Sequence, residues 1–183
     1  IQTCALPICT THLINQLLTL ARAEPAAERS QHPVSCDLCA LAREVTTEWV
    51  PRALERNIDL GFESEGQQPS IEGDIVLLRE MLNNLLDNAT RFTPPGGHVT
   101  VRIAGESGRA VLQVEDDGPG IPEAEREAVL ERFHRVLGTG VDGCGLGLAI
   151  VREIVARHRG EIRMMAGAGG KGTSARISLP ALA

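Results

Sequence analysis

The stretch from Asp74 to Arg91 limits the architecture of this chain more than any other, because it reads as an amphipathic helix that is stopped at once by Thr93-Pro94-Pro95-Gly96-Gly97. Asp74 is an N-cap residue type, Leu78, Leu82, Leu85 and Ala89 form an apolar stripe, and the Pro-Pro-Gly-Gly run cannot continue a helix. A helix with one apolar face needs a layer to cover. The following residues supply one: Val99 to Ile103 and Ala110 to Val114 alternate apolar and polar as strands, with Gly105 to Gly108 as the hairpin turn between them.

The same reading extends in both directions. Pro122 to Arg132 is predicted as a short helix, Leu146 to His158 as a longer one, and Glu161 to Met165 and Ser174 to Leu179 as closing strands. Upstream, Leu38 to about Asn57 has a helical pattern through Leu41, Val45, Trp49 and Leu54, with Pro51 as a predicted kink, and Ile58 to Glu63 alternates like a strand. These elements predict an α+β two-layer sandwich: one mixed β-sheet with α-helices packed on one face, preceded by one amphipathic helix. That first helix is Thr11 to Glu24, where Leu13, Leu17, Leu20 and Ala21, widened by Ile14 and Leu18, form a stripe that seeks a partner helix. The polar, Pro-bounded stretch from Pro25 to Pro33 is a linker. Ile1 to Cys9 fits none of this; its QTCALPI run looks like a translated sequencing-adapter remnant and is set aside, the other reading being a helix interrupted at Pro7. The expected units are therefore residues 1–9, a non-native end; 10–24, a helical segment; 25–34, the linker; and 35–183, one globular domain.

With 183 residues and 43% hydrophobic content, the chain can bury one good core. A net charge of −6 leaves no broad basic surface for a phosphate backbone, which argues against nucleic acid as a partner. Any bound anion must be held locally. No apolar run approaches the roughly 20 residues that span a bilayer, and no basic n-region leads into an apolar stretch, so this segment is expected to be soluble, with any membrane anchor in a longer parent chain. The five cysteines are an odd number at low density, as in a reducing compartment. Cys36-x-x-Cys39 has metal or redox spacing but no second Cys pair, and His32 is a weak companion, so both read as small buried side chains at a helix start.

Three groups of residues carry chemistry. In the long helix, Asn83, Asn84, Asp87 and Asn88 stand where better helix formers are expected, each Asn costing roughly 0.5 kcal/mol relative to Ala, so something should offset them. Asn84, Asn88 and Arg91 share one face, where amide oxygens suit magnesium and a guanidinium suits a phosphate; a plain polar face explains them equally well. Asp116-Asp117-Gly118-Pro119-Gly120-Ile121 follows a strand directly. A carboxylate there can accept the exocyclic amino group of adenine, where guanine would present an acceptor, although the same run also makes a good turn. Finally, Gly143-Cys144-Gly145-Leu146-Gly147-Leu148 opens a helix after a loop containing Gly138 and Gly140. Exposed amides at that end make a triphosphate site, yet no Gly-Lys-Ser/Thr follows and no strand precedes, which excludes Walker and Rossmann loops.

In this order, LLREMLNNLLDNATRFTPPGG, VEDDGPGIP, LERFHR, GCGLGLAIVREIV and GGKGTSARISLP resemble the N, G1, F and G2 boxes and the terminal glycine-threonine motif of sensor histidine kinases. Those kinases belong to an ATPase superfamily shared with gyrase, mismatch-repair ATPases and a heat-shock chaperone. The resemblance covers roughly residues 11 to 181 and implies a Bergerat-type ATP-binding fold. It implies ATP and Mg2+ as cofactors, with Asn88 as metal ligand, Asn84 beside it in the catalytic machinery, and Asp116 on adenine in a pocket shaped by Gly118, Gly120 and Ile121. Phe133 to Cys144, including Arg135 and Gly143, would form a mobile lid; Gly145, Leu146, Gly147 and Leu148 would meet the phosphates, and Thr173 would support adenine through water. Arg91 and Phe92 stand where the family often has Lys and Tyr.

The resemblance further implies transfer of the ATP γ-phosphoryl group to a histidine, relay to a response regulator receiver domain, homodimerisation through a helical hairpin, and a cytoplasmic portion of an inner-membrane sensor. Only the end of the hairpin's second helix, THLINQLLTLARAE, is present, and His12, His98, His134 and His158 lie outside any acceptor motif. The alternatives are a gyrase- or chaperone-type ATP hydrolase, which would need a Glu where this chain has Asn84, and a degenerate nucleotide-binding module.

Overall fold

The computed structural model describes residues 34–66, 69–136 and 144–182. The predicted helix from Thr11 to Glu24, the linker from Pro25 to Pro33, and His12 lie outside them.

The central layer is a five-stranded sheet of β2 (Asp59–Glu65), β4 (His98–Glu106), β5 (Arg109–Asp116), β7 (Thr173–Pro180) and β6 (Glu161–Ala166), hydrogen-bonded in that order. The β2–β4 pair is parallel and the other pairs are antiparallel, so the sheet is mixed. Helices α1 (Leu38–Glu55), α2 (Ile75–Phe92) and α3 (Gly147–Arg157) pack on one face and enclose a single core with it. The α+β sandwich expected from the sequence is the fold observed. A small antiparallel sheet of β1 (Val34–Asp37) and β3 (Ser70–Gly73), four residues each, was not legible in the sequence.

Strand alternation explains which residues face the helices. Val101, Val114 and Ala175 lie in one cross-strand row and Ile103, Leu112 and Ile177 in the next, all buried. The opposite face is polar: Arg102 bonds Glu63 at 2.6 Å and Glu115 at 3.3 Å, and Gln113 bonds Glu115 and Ser174, both at 2.9 Å.

Helix α2 begins where Asp74 caps it, its carboxylate accepting from the Val76 and Leu77 amides at 3.0 and 3.3 Å. It ends at Thr93, held extended before Pro94. Leu78, Leu82, Leu85 and Ala89 are buried as the stripe predicts. In α1 the buried series is Leu41, Val45, Trp49 and Ala53, whereas Leu54 is 69% exposed; the four-residue step carries to position 53, not 54. The helix runs on through Pro51, which is exposed, as is Thr47, the residue whose carbonyl loses its helical donor to the proline. Cys36 and Cys39 are buried at the start of this helix as expected. Pro122 to Arg132 is not an α-helix: two 3-10 turns, Glu123–Glu125 and Ala128–Leu130, replace it, with Val129 their one buried residue. Tertiary ties fix these turns instead of an apolar stripe, Arg126 Nε donating to the Ile121 carbonyl at 3.2 Å and His134 bonding Glu125 at 2.7 Å.

His158 joins two helices. Its Nε2 accepts from the Asp74 amide at 3.0 Å and its Nδ1 donates to the Ile154 carbonyl at 2.7 Å. Burial, reinforced by Arg157, lowers its pKa against the opposing pull of the Ile154 bond and Asp74. The native state therefore binds fewer protons than the unfolded chain below the unfolded pKa of about 6.5, and stability contributed here is full above that pH and lost as pH falls beneath it. We expect wild type to lose thermal stability relative to His158→Gln between about pH 7 and about pH 5, since Gln accepts from Asp74 without titrating. Parallel melting curves for the two proteins across that range would refute the role of His158.

Candidate active site

A cleft opens between α2, the ends of β5 and β7, and the start of α3. Its floor is apolar, with Val114, Met164 and Ala175 beneath and Val129 and Leu146 at the side.

Asp116 closes the inward-facing series Ala110, Leu112 and Val114, so a carboxylate stands where the alternation calls for an apolar side chain. It is 9% exposed. Its Oδ1 accepts from the Gly118 amide at 3.0 Å and the Thr173 amide at 3.2 Å, while Oδ2 receives no hydrogen bond from a described residue. Burial pushes its pKa up to about 6 despite both amides, with Asp117 and Glu115 adding to the rise. The neighbouring Asp117 is committed elsewhere, accepting from the His98 amide at 2.9 Å and meeting its Nδ1 at 3.2 Å.

Glycines permit the close approach of three backbone segments here. A Cβ on Gly118 would stand 2.8 Å from the Phe92 carbonyl oxygen, and one on Gly120, at φ +77°, 2.8 Å from that of Gly172. Gly172, at φ +67°, lies against the Asp116 carbonyl so closely that no side chain fits.

On the helix side, the four polar residues separate by what they bond. Asn83 Oδ1 accepts from Trp49 Nε1 at 2.8 Å, so it ties α2 to α1 and has a structural partner. Asp87 is ion-paired with Arg91 along α2. Asn84 is 7% exposed; its Nδ2 donates to Glu80, and its Oδ1 accepts from no described residue. Asn84 and Asn88 both face Gly147, where a Cβ would lie 3.2 Å from Asn84 Oδ1 and 3.5 Å from Asn88 Nδ2. Helices α1 and α2 are capped by Asp37 and Asp74, whereas α3 has no side-chain cap, so its first amides remain available to a ligand.

The cleft thus brings together Asn84, Asn88, Arg91, Phe92, Asp116, Gly120, Ile121, Arg135, Gly145, Leu146, Gly147, Leu148 and Thr173 of the residues singled out in the sequence. Gly118 sits behind Asp116 and bonds it. Phe133 is 67% exposed with φ +65° and does not line the cleft, its amide donating to the Gly145 carbonyl at 2.8 Å. Gly143 lies outside the described residues. Sequence reasoning missed Gly172, whose signal was its place directly before Thr173, and Met164, which nothing in the sequence separates from an ordinary core residue.

Residues 73–183 match the family of histidine kinase-, DNA gyrase B-, and HSP90-like ATPases. The chain belongs to that family. Sensor protein kinase PmrB of Pseudomonas aeruginosa is 39% identical over 170 residues, covering 92% of this chain and 35% of PmrB. Signal transduction histidine-protein kinase/phosphatase MprB of Mycobacterium bovis is 38% identical over 173 residues, covering 92% and 33%. The chain therefore spans about a third of the length of these curated relatives. Among solved structures, mycobacterial sensor histidine kinase MprB superposes with a TM-score of 0.68 at 36% identity, over 82% of this chain and 98% of that one. Full-length ShkA in complex with AMPPNP gives 0.80 at 32% identity, over 93% and 35%. Within this ATPase family the chain is the ATP-binding catalytic part of a sensor histidine kinase, and the gyrase- or chaperone-type hydrolase is not favoured.

Proposed function

We propose that this chain holds magnesium-ATP in the cleft and presents the γ-phosphoryl group for in-line transfer to a histidine on a dimerisation hairpin, for relay to a response regulator aspartate. The observation that carries this reading is one of convergence. A buried carboxylate oxygen, a buried carboxamide oxygen without a donor among the described residues, and an uncapped helix N-terminus all open on one cleft.

The parts divide the nucleotide between them. Asp116 Oδ2 accepts the adenine amino group, Gly118 and Thr173 hold that carboxylate in place, and Gly120, Ile121 and Phe92 shape the pocket around the ring. The α3 amides from Gly147 onward, with Gly145 and Leu148 beside them and Arg91 and Arg135 at the rim, suit the phosphates. Asn88 and Asn84 offer hard oxygen ligands one helical turn apart, a donor type that suits a small dication. That ion, when bound, supplies neutralisation of phosphate charge. The protein's share is positioning and the exclusion of water by the apolar floor. The lid expected over residues 133 to 144 falls partly, and the hairpin segment expected over residues 10 to 24 wholly, outside the described residues.

No helix among the described residues is long and apolar enough to cross a membrane. We place the chain on the cytoplasmic side of a dimeric, membrane-anchored sensor. The test is label transfer from γ-labelled ATP. The purified chain alone should remain unlabelled, and adding a separate hairpin that carries an acceptor histidine should give acid-labile phosphohistidine on the hairpin, slowly, because separate modules lose effective concentration. Label on His12, His98, His134 or His158 would contradict the proposal.

A further inference from the structure

Asn84 has an orientation that its own surroundings must fix. Its Nδ2 donates to the Glu80 carbonyl at 2.9 Å and to Glu80 Oε1 at 3.3 Å, and its Oδ1, which accepts from no described residue, faces the start of α3. A carboxamide has nearly the same shape at both ends and opposite hydrogen-bonding sense, so its orientation is decided by what reads the ends. Among the described residues, only Glu80 reads the ends of Asn84 through hydrogen bonds, and both of its oxygens are acceptors. The Glu80 carbonyl has two lone pairs and accepts from Asn84 Nδ2 as well as from the Asn84 amide of the helix ladder, and the Glu80 carboxylate adds a second acceptor to the same NH₂ group.

We infer that Glu80 is a positioning residue. Together with the carbonyl of the same residue, its carboxylate holds the Asn84 carboxamide with nitrogen turned back along α2 and oxygen turned toward Gly147, so that the cleft offers a divalent cation a ligand and not a repelling N–H group. Glu80 acts through Asn84, as groups behind metal ligands commonly do. The inference rests on the magnesium-ATP reading of the cleft and adds a residue to which the resemblance assigns no role.

The experiment is calorimetric titration of the chain with ATP, with and without magnesium, for wild type, Glu80→Ala and Glu80→Gln. Position 80 is half-buried and Ala is the best helix former, so the variants keep the fold, which melting curves check. Glu80→Ala should reduce the tightening produced by magnesium by about 10-fold while magnesium-free affinity stays within about twofold. Glu80→Gln should restore the magnesium response, because its side-chain oxygen can still accept from Asn84. A wild-type magnesium response in Glu80→Ala overturns the inference. So does a Gln variant as impaired as the Ala variant, since charge alone would then be at work. Failure of wild type to bind ATP in either condition would sink the reading of the cleft itself, a result distinct from both.

Discussion

Asp116→Asn is expected to weaken ATP binding by about 10- to 150-fold at neutral pH, the equivalent of roughly 1.5–3 kcal/mol for a hydrogen bond to a charged acceptor. In wild type, Oδ1 is occupied by the Gly118 and Thr173 amides, and Oδ2 is left for the cleft. An Asn that keeps those two amides on its oxygen turns its NH₂ toward the adenine amino group, donor against donor. Fold stability should hold or rise. The carboxyl pKa is raised to about 6 from 3.8, so its stabilising contribution is complete below the lower value and lost as pH rises through the upper one. A neutral amide avoids that loss at neutral pH. Protonation of wild-type Asp116 places a proton on the cleft-facing oxygen, so its ATP affinity should fall as pH drops through about 6. The Asn variant, which has no carboxyl to protonate at this position, should show the smaller fall. Calorimetry across that range checks both expectations, and wild-type affinity in the variant would remove Asp116 from the site.

Gly172→Ala should damage fold and site together. At φ +67° the added Cβ is strained, and it would drive into the Asp116 carbonyl and the backbone of Asp117. The strand pairing Asp116 with Thr173 cannot accept it without moving both, and with them the amide that anchors the Asp116 carboxylate. We expect a loss of about 2–4 kcal/mol in stability and at least about 10-fold in ATP affinity. Denaturant melts and nucleotide titration of the variant measure the two effects separately. An Ala variant with wild-type values for both would show that the close approach of these strands is not needed.

The parts of the fold legible in the sequence are those whose causes are local. Helix α2 carries its apolar stripe, its Asp74 cap and its Pro94 stop within its own residues, and the strands β4 and β5 show their buried faces by alternation. The β1–β3 pair was not legible because four-residue strands joined across more than thirty positions leave no periodic trace, and Val34 pairs with Gly73 only in the folded chain. Pro122 to Arg132 has the composition of a helix but only Val129 to bury, and its contacts with Ile121 and His134 draw it into turns.

The site divides in the same way. Asp116 could be read from the chain, since it opens a glycine-rich run directly after a predicted strand, and so could the glycines that open α3. Helical spacing set Asn83 apart from Asn84 and Asn88, but what Asn83 bonds could not be read, because its partner Trp49 is 34 residues away and on another helix. Gly172 owes its importance to the backbone of a neighbouring strand. The orienting role of Glu80 follows from which atoms of Asn84 it meets, and a sequence records only that the two residues are four apart.

On the reading proposed above, this cleft selects adenine through a buried carboxylate while the start of α3 and the α2 carboxamides take the phosphates and magnesium. Calorimetric titration of the chain with ATP and with GTP, both with magnesium, tests it most directly. The account predicts binding of ATP and at least about 10-fold weaker binding of GTP, whose ring presents an acceptor to Asp116 where adenine presents a donor. Equal affinity for the two nucleotides, or none for ATP, would contradict it.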